Sequence, residues 1–182
     1  MNIVVLGPQG CGKGTQGNKL SKHLDIPHIS TGAMLREYVK NGGEYAQKIR
    51  DIMDAGELID DDFLEEILEK RLSKPDCKQG FILDGTPRDL YQAQMIDSFT
   101  NFDYVFLINI SEEESFRRVS KRAQKEKRED DTPQALKERL HTYHKKTEPV
   151  IEHYKKQGIL HVINGEQAVE DVFADILAVL NE

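Results

Sequence analysis

The chain opens with the apolar run Asn2-Ile-Val-Val-Leu6, followed at once by the glycine-rich loop Gly7-Pro-Gln-Gly-Cys-Gly-Lys-Gly-Thr15. The apolar run is too short and too rich in β-branched residues for a helix, so it predicts a buried parallel strand. Glycines after such a strand allow successive backbone N–H groups to wrap a phosphate, and Lys13 adds a full positive charge. Gly14 stands where Ser or Thr usually follows this lysine, and Thr15 comes one residue later. The pattern predicts a phosphate-binding loop that opens the first helix at about residue 13.

Short apolar strands alternate with helices along the rest of the chain. Predicted strands cover residues 2–6, 28–30, 81–83, 103–110 and 160–163, and helices are predicted between them. Buried strands joined by helices indicate an α/β fold, with a parallel sheet covered by helices on both faces. Ligands of such sheets bind at the carboxyl ends of the strands. With 182 residues, the chain is expected to form one domain, 1–182.

Several polar residues are placed as helix caps. Ser111 with Glu114 three residues later is a capping box, and Ser30 or Thr31 is expected to cap the helix that carries Arg36. Thr132, followed by a proline, is expected to open a long helix that continues to about residue 157.

Composition narrows the class of protein. Hydrophobic residues make up 38% and charged residues 31%, which is the balance of a soluble globular protein, and no apolar run is long enough for a membrane helix. The net charge of −7 argues against nucleic acid as a partner. No signal peptide is recognised, and two cysteines exclude a disulfide scaffold or a four-cysteine zinc site, so a cytoplasmic location is expected.

A carboxylate and a guanidinium follow the predicted strand 81–83, in residues 84–88, which read Asp-Gly-Thr-Pro-Arg. Mg²⁺ prefers few carboxylates together with water and phosphate oxygens, so Asp84 beside a phosphate loop is a candidate to hold the water shell of this ion. Taken alone, an Asp-Gly after a strand is more simply a turn. Gln92 lies four residues beyond Arg88, which places both side chains on one face of a helix.

Four of the nine arginines, Arg117, Arg118, Arg122 and Arg128, fall within a dozen residues. Arg118 and Arg122 share one helix face, and Arg128 and Arg139 follow. A solvated helix face is the simpler interpretation of this charge run by itself. Phosphoryl transfer, however, requires positioning and cations around a spreading negative charge, with little covalent chemistry from the protein. Several arginines without a recognisable nucleophile or general base fit that chemistry.

Cys11 allows two interpretations. A thiol near a helix N-terminus can be reactive because the local field lowers its pKa. A small residue that fills a position in the loop is the simpler interpretation, and we favour it.

These motifs, in their order along the whole chain, resemble those of the nucleoside monophosphate kinases and, among them, the adenylate kinase family. The resemblance rests on residues 7–16, on Ser30-Thr-Gly32 with Arg36, on residues 54–59, and on residues 84–88 with Gln92 and Ala93. It implies a P-loop NTPase-type sheet of five parallel strands with a mobile acceptor-binding arm, residues 30–59, and a mobile short lid, about 122–132. The short lid lacks the insert that can carry zinc in longer forms, so no structural zinc is expected.

The resemblance also assigns roles to individual residues. Those expected at ATP are Gly10, Cys11, Gly12, Lys13, Gly14, Thr15, Arg118, Arg122 and Gln167. Those expected at AMP are Thr31, Arg36, Glu57, Leu58, Ile59, Gly85, Thr86, Pro87, Arg88, Gln92, Arg128 and Arg139. Those expected to be catalytic are Lys13, Arg88, Arg122, Arg128 and Arg139. Asp130 and Asp131 would belong to the lid, and Asp84 would hold Mg²⁺ through water, with Thr15 as a further ligand.

Two residues depart from the family pattern. Ala33 replaces the usual aspartate after Thr-Gly, which affects the expected metal–water network. Thr86 replaces the usual aromatic residue between Gly85 and Pro87, which affects packing around the acceptor.

The implied reaction is the reversible transfer of the terminal phosphoryl group of Mg-ATP to AMP, giving two ADP, by an enzyme expected to be monomeric, without nucleic-acid or membrane partners. A uridylate/cytidylate kinase is the nearest alternative, and a nucleotide-binding regulator is the alternative from another class. AMP is favoured because the Gln92 amide has a donor and an acceptor that match N1 and N6 of adenine. Thr31 also follows the adenylate pattern, since the pyrimidine enzymes tend to carry alanine there.

Overall fold

A parallel five-stranded sheet forms the centre of the computed structural model, which describes residues 1–126 and 131–181. The strands are β1 (Asn2–Leu6), β2 (His28–Ser30), β3 (Phe81–Asp84), β4 (Tyr104–Asn109) and β5 (Leu160–Asn164). Their order is β2-β3-β1-β4-β5, and every neighbouring pair is parallel. The predicted fold class is therefore confirmed. Arg128 and Asp130, expected in the lid, lie outside the described residues.

Helices connect the strands and cover the sheet. The helices of the described residues are α1 (Lys13–Leu24), α2 (Thr31–Lys40), α3 (Ala46–Ala55), α4 (Asp61–Leu72), α5 (Leu90–Phe99), α6 (Glu112–Glu126), α7 (Pro133–Thr142), α8 (Glu148–Lys156) and α9 (Val169–Leu180). A 3₁₀ turn, Pro75–Cys77, follows α4, and a π-helical turn, Tyr143–Thr147, joins α7 to α8. Within these described residues, no helix is both long enough and apolar enough to span a bilayer.

Two hydrophobic clusters cover the two faces of the sheet. Successive residues of a strand point to opposite faces, so Val4 packs on one side of the sheet and Ile3 on the other. The first cluster adds side chains of α4, α5 and α8, including the fully buried Leu68. The second adds side chains of α1 and α9, including Leu20. Burial on both faces explains why the strands are continuously apolar rather than alternating.

The strand order brings the predicted motifs to one edge of the sheet. In the sheet, β3 and β2 lie on one side of β1, and β4 and β5 lie on the other. The strand order therefore reverses direction at β1. A crevice opens at such a switch point, outside the carboxyl ends of the strands. The glycine-rich loop after β1 and the Asp84–Arg88 segment after β3 both lie there because their strands pair in register, Val5 opposite Asp84.

Two of the capping predictions are wrong in part. Ser30 occupies the N-cap of α2 without a side-chain hydrogen bond, and Thr31 Oγ1 instead donates to the Asp84 carbonyl at 3.1 Å. The Ser111 hydroxyl does accept from the backbone N–H of Glu114, at 3.3 Å. The Glu114 carboxylate, however, accepts from two arginines of its own helix, and Glu166 takes its place on the Ser111 N–H at 2.7 Å. In both helices a residue distant in sequence, Asp84 for α2 and Glu166 for α6, takes a hydrogen bond that the local cap would otherwise make.

The third capping prediction is confirmed. The Thr132 hydroxyl accepts from the N–H of Ala135 at 3.1 Å, and Pro133 is the first residue of α7. The long helix predicted from there to about residue 157 is interrupted by the π-helical turn 143–147. Thr147, in that turn, is buried and donates to the Arg88 carbonyl at 2.7 Å, so the irregular turn contacts the segment that follows β3.

Candidate active site

A cleft of about 780 Å³ opens at the carboxyl edge of the sheet. Its walls come from the glycine-rich loop and the start of α1, from residues 28–37, from residues 52–59 and from the segment after β3. Three arginines of the second half of the chain, Arg118, Arg122 and Arg139, also line it. The cleft thus collects cationic side chains from several helices on a protein whose net charge is −7.

The glycine-rich loop presents an uncapped helix end to the cleft. Gly12 is the N-cap of α1, and no side chain of the described residues caps this helix. The first N–H groups of α1 are therefore oriented for an anion, with the helix dipole behind them. The Lys13 ammonium lies back over the loop, where it donates to the carbonyls of Gly7 at 2.7 Å and Pro8 at 2.9 Å. Both contacts are ones that a phosphate can replace.

The buried carboxylate of Asp84 lies beside this loop. Its Oδ2 is 3.4 Å from His28 Nε2, and His28 Nδ1 contacts Asn18 Oδ1 at 2.9 Å. His28 therefore lies between Asn18 of α1 and Asp84 of β3. His28 Nε2 is buried and makes no hydrogen bond within the described part of the chain. Its place exists because residue 17 is glycine, since a Cβ there would lie 2.4 Å from Nε2.

The Gln92 side chain is buried and makes three hydrogen bonds within the described residues. Gln92 Oε1 accepts from the backbone N–H of Arg88 at 2.9 Å and from the Thr86 hydroxyl at 3.4 Å, and Nε2 donates to Asp61 Oδ1 at 3.0 Å. The expectation that Arg88 and Gln92 share a helix face is wrong, because α5 begins at Leu90. They meet because the amide folds back onto the Arg88 backbone.

The buried carboxylate of Asp131 holds two of the arginines that line the cleft, Arg122 of α6 and Arg139 of α7. The Asp131 side chain is fully buried, and both of its oxygens accept from Arg122 at 2.7 Å. Arg139 Nη1 lies 3.4 Å from the same carboxylate, and its Nη2 donates to the Met53 carbonyl of α3 at 2.9 Å. Arg139 therefore links α7 to the arm across the cleft.

Arg118 is held by other partners. Its Nε donates to Glu114, and its Nη2 donates to the Gly165 carbonyl at 2.9 Å, at the end of β5. Hydrogen bonds from Arg117 and Arg118 lower the pKa of the Glu114 carboxyl to about 2. Glu114 and Arg118 therefore stay ionised near neutral pH. Their ion pair helps to hold the Arg118 guanidinium, which lines the cleft.

The structure brings most of the predicted site residues to the cleft. Those that line it are Gly10, Gly12, Lys13, Gly14, Thr15, Thr31, Arg36, Glu57, Leu58, Ile59, Asp84, Gly85, Thr86, Arg88, Gln92, Arg118, Arg122 and Arg139. Cys11, Pro87, Asp131 and Gln167 are not among the lining residues. The Gln167 amide donates to the Asn164 carbonyl at 3.0 Å and to Asp175 at 2.6 Å.

Sequence reasoning missed three polar residues of the site: Asn18, His28 and Asp61. His28 and Asn18 line the cleft, and Asp61 holds the Gln92 amide. None of the three carries a sequence signal for the site, because His28 is the first residue of β2 rather than its carboxyl end, and Asn18 and Asp61 reach their partners through contacts between separate elements. In the described ranges, no three side chains among His, Cys, Asp and Glu group together as metal ligands would.

The family model and three curated relatives that match this chain all bear the name adenylate kinase. The family model for adenylate kinase matches residues 5–159. An adenylate kinase of Stenotrophomonas maltophilia (strain K279a) is 40% identical over 185 aligned residues, which cover 99% of this chain and 99% of the relative. The adenylate kinase of Bifidobacterium longum is 38% identical and covers 98% of both chains. That of Methanocella arvoryzae is 37% identical, with 100% of this chain and 99% of the relative aligned. This last alignment spans 214 positions, so that relative carries residues that a chain of 182 lacks.

The environment of Cys11 supports the second interpretation of this residue. Its side chain is buried, and burial raises the pKa of the thiol, although the Lys13 ammonium, 3.7 Å from Sγ, acts in the opposite direction. Burial also raises the pKa of the Cys77 thiol. The thiolate is the nucleophile, so both thiols should be slow to react.

We predict that iodoacetamide at pH 7.5 labels both cysteines of the native protein at least about a hundredfold more slowly than the unfolded chain, as measured by mass spectrometry of timed digests. The protein in urea is the control for reagent activity. Rapid native labelling of Cys11 would instead favour a reactive thiol in the loop.

Proposed function

Because this chain belongs to the adenylate kinase family, which transfers the terminal phosphoryl group of ATP reversibly to AMP, we propose that the cleft is the place of this transfer. The reaction gives two ADP and serves nucleotide interconversion. The observation that carries the proposal is the convergence of an anion-binding helix end with arginines of separate segments on one cleft.

The donor side of the cleft is the glycine-rich loop. The N–H groups at the start of α1 and the Lys13 ammonium would bind the outer phosphates of ATP, while Arg118 and Arg122 approach from α6. Lys13 exchanges two carbonyl contacts for a phosphate, so its charge follows the group that is transferred. Arg128 belongs to the same proposal from sequence alone, as does Gln167 near the base.

The acceptor side is the arm, residues 30–59, with the segment after β3. Arg36 and Arg88 line this part of the cleft and would hold the monophosphate, while Leu58, Ile59 and Gln92 surround the base. Arg139, which contacts Asp131 and the Met53 carbonyl of the arm, would bridge toward the transferred phosphoryl group. The protein then supplies position, charge and exclusion of water, which is what phosphoryl transfer asks of it.

The residues present fit a magnesium ion bound with ATP. Asp84 has a buried carboxylate at the mouth of the loop, and the buried His28 Nε2 beside it makes no hydrogen bond within the described residues, so a water molecule of the hydrated ion would find a polar partner in each. The Thr15 hydroxyl, at the start of α1, completes the set. When bound, the ion neutralises charge between the phosphates. Ala33 contributes no oxygen, so the set is smaller than in the family pattern.

The arm and the short lid are proposed to close over both nucleotides, because phosphates that water can reach would be hydrolysed. A monomeric state, a cytoplasmic location, the absence of structural zinc, and the absence of nucleic-acid or membrane partners stay predictions from sequence and family.

Lys13→Met is expected to lower turnover at least about a hundredfold in a coupled assay for ADP formed from ATP and AMP, because the ammonium contacts charge that moves in the transition state. Lys22→Met, an exposed lysine of the same helix, is the matched control and should keep its activity. A Lys13→Met protein with normal circular dichroism and near wild-type turnover would contradict the role. Wild-type protein that binds ATP but forms no ADP would indicate a nucleotide-binding regulator.

Asp84→Asn is expected to raise the Mg²⁺ concentration that half-saturates the enzyme by about tenfold or more, since the amide keeps the shape of the side chain and removes its charge. A Mg²⁺ titration at fixed ATP measures this, and retention of Mg-ATP binding in calorimetry provides a second readout. Asp171→Asn, at an exposed position in the first turn of α9, is the control. An unchanged titration curve for Asp84→Asn would remove this carboxylate from the metal site.

Closure predicts that a bisubstrate analogue, two adenosines joined through phosphates, reduces the radius of gyration in small-angle scattering. ATP alone and AMP alone serve as partial ligands and should compact the protein less. The same scattering profile with and without saturating analogue would rule out closure.

A further inference from the structure

The hydrogen bonds of Gln92 indicate what this side chain can offer an acceptor base. We propose that Thr86 and the Arg88 backbone together occupy Gln92 Oε1, so that Gln92 presents only an N–H donor. The site then selects a base with an unprotonated ring nitrogen and does not read the exocyclic amino group. This inference rests on the proposed function, because it concerns the acceptor of the same reaction.

The orientation of the amide follows from the chemistry of its partners. The Arg88 backbone N–H can only donate, so the atom that it meets at 2.9 Å is the amide oxygen. An ionised Asp61 carboxylate can only accept, so the atom at 3.0 Å from it is the amide nitrogen. The two contacts define the same orientation independently, and a flipped amide would place like groups against each other at both ends.

The acceptor capacity of the amide is then used up inside the protein. An amide oxygen has two lone pairs, and Oε1 receives the Arg88 N–H and the Thr86 hydroxyl. Gln92 is 1% exposed and Thr86 is 2% exposed, so water does not compete for these positions. The amide nitrogen has two hydrogens, and Asp61 takes one of them. The second N–H is the group that remains for a ligand in the cleft.

At position 86 this chain has a threonine where the family pattern has an aromatic residue. An aromatic residue between Gly85 and Pro87 would leave a lone pair of Oε1 for the amino group of adenine. Thr86 fills that lone pair from within the protein. The sequence-based reason for an AMP preference, a glutamine that reads N1 and N6 together, is therefore replaced by recognition of N1 alone.

Three purine acceptors of nearly equal size distinguish recognition of N1 alone from recognition of N1 and the amino group together. AMP has a bare N1 and an amino group, purine riboside 5′-monophosphate has a bare N1 and no amino group, and IMP carries a proton on N1. We expect kcat/KM of the wild-type enzyme for AMP and purine riboside 5′-monophosphate to agree within about threefold. IMP should be poorer by about a hundredfold, because two donors would face each other in a buried site.

Thr86→Val keeps the shape of the side chain and removes the hydroxyl. The freed lone pair should then accept from the adenine amino group, so the ratio of kcat/KM for AMP to that for purine riboside 5′-monophosphate should rise to about tenfold or more. Thr86→Ser keeps the hydroxyl and is the matched control, with the wild-type ratio expected. Each ratio compares two acceptors on one protein, so a change in stability cancels.

The outcomes separate this inference from the proposed function. A wild-type enzyme that prefers AMP to purine riboside 5′-monophosphate by tenfold or more overturns the inference and leaves AMP phosphorylation intact. The same holds if wild-type enzyme accepts IMP as well as AMP, or if Thr86→Val leaves the ratio unchanged. If Thr86→Val does not fold, the wild-type panel decides alone. The absence of ADP formation from ATP and AMP overturns the proposed function, whatever the other two acceptors show.

Discussion

The exit of the chain from the central strand is the constraint on which the site depends. Gly7 follows β1 with a φ of +141°, and a Cβ at this position would lie 2.3 Å from the Ile108 carbonyl of the neighbouring strand. Only glycine allows the loop to turn this close to the sheet. The turn delivers Lys13 and the first N–H groups of α1 to the edge where the loops after β2 and β3 also arrive.

Charge is distributed so that an acidic protein can hold anions. The net charge is −7, yet the cleft is lined by six arginines of the described residues and by Lys13. Asp131 makes this arrangement stable, because a fully buried carboxylate binds Arg122 at two points and also approaches Arg139. Removing one partner of a buried ion pair is costly, so the guanidinium groups are kept in place before any ligand arrives.

The acceptor side shows how hydrogen bonds inside a protein limit recognition. Gln92 looks like a residue with a donor and an acceptor for a base, but its oxygen is already satisfied by Arg88 and Thr86. A buried amide must satisfy its own groups, and what it offers a ligand is only what remains. Asp61, from the first turn of α4, holds the amide nitrogen of Gln92, and in the proposed recognition of the base it would act through this contact.

The sequence by itself determined the α/β class and predicted that the glycine-rich loop lies at the edge of the sheet where the cleft opens, because these depend on local periodicity and on residue types at fixed spacing. The Thr132 cap was equally local and equally predictable. Contacts between distant segments were decided by the tertiary structure. Glu166 replaced Glu114 in the capping box, and Arg139 reached the arm at Met53. Asn18 and His28 came to stand beside Asp84 only when α1 and β2 packed against β3, since a hydrogen bond between separate elements has no signature in either of them.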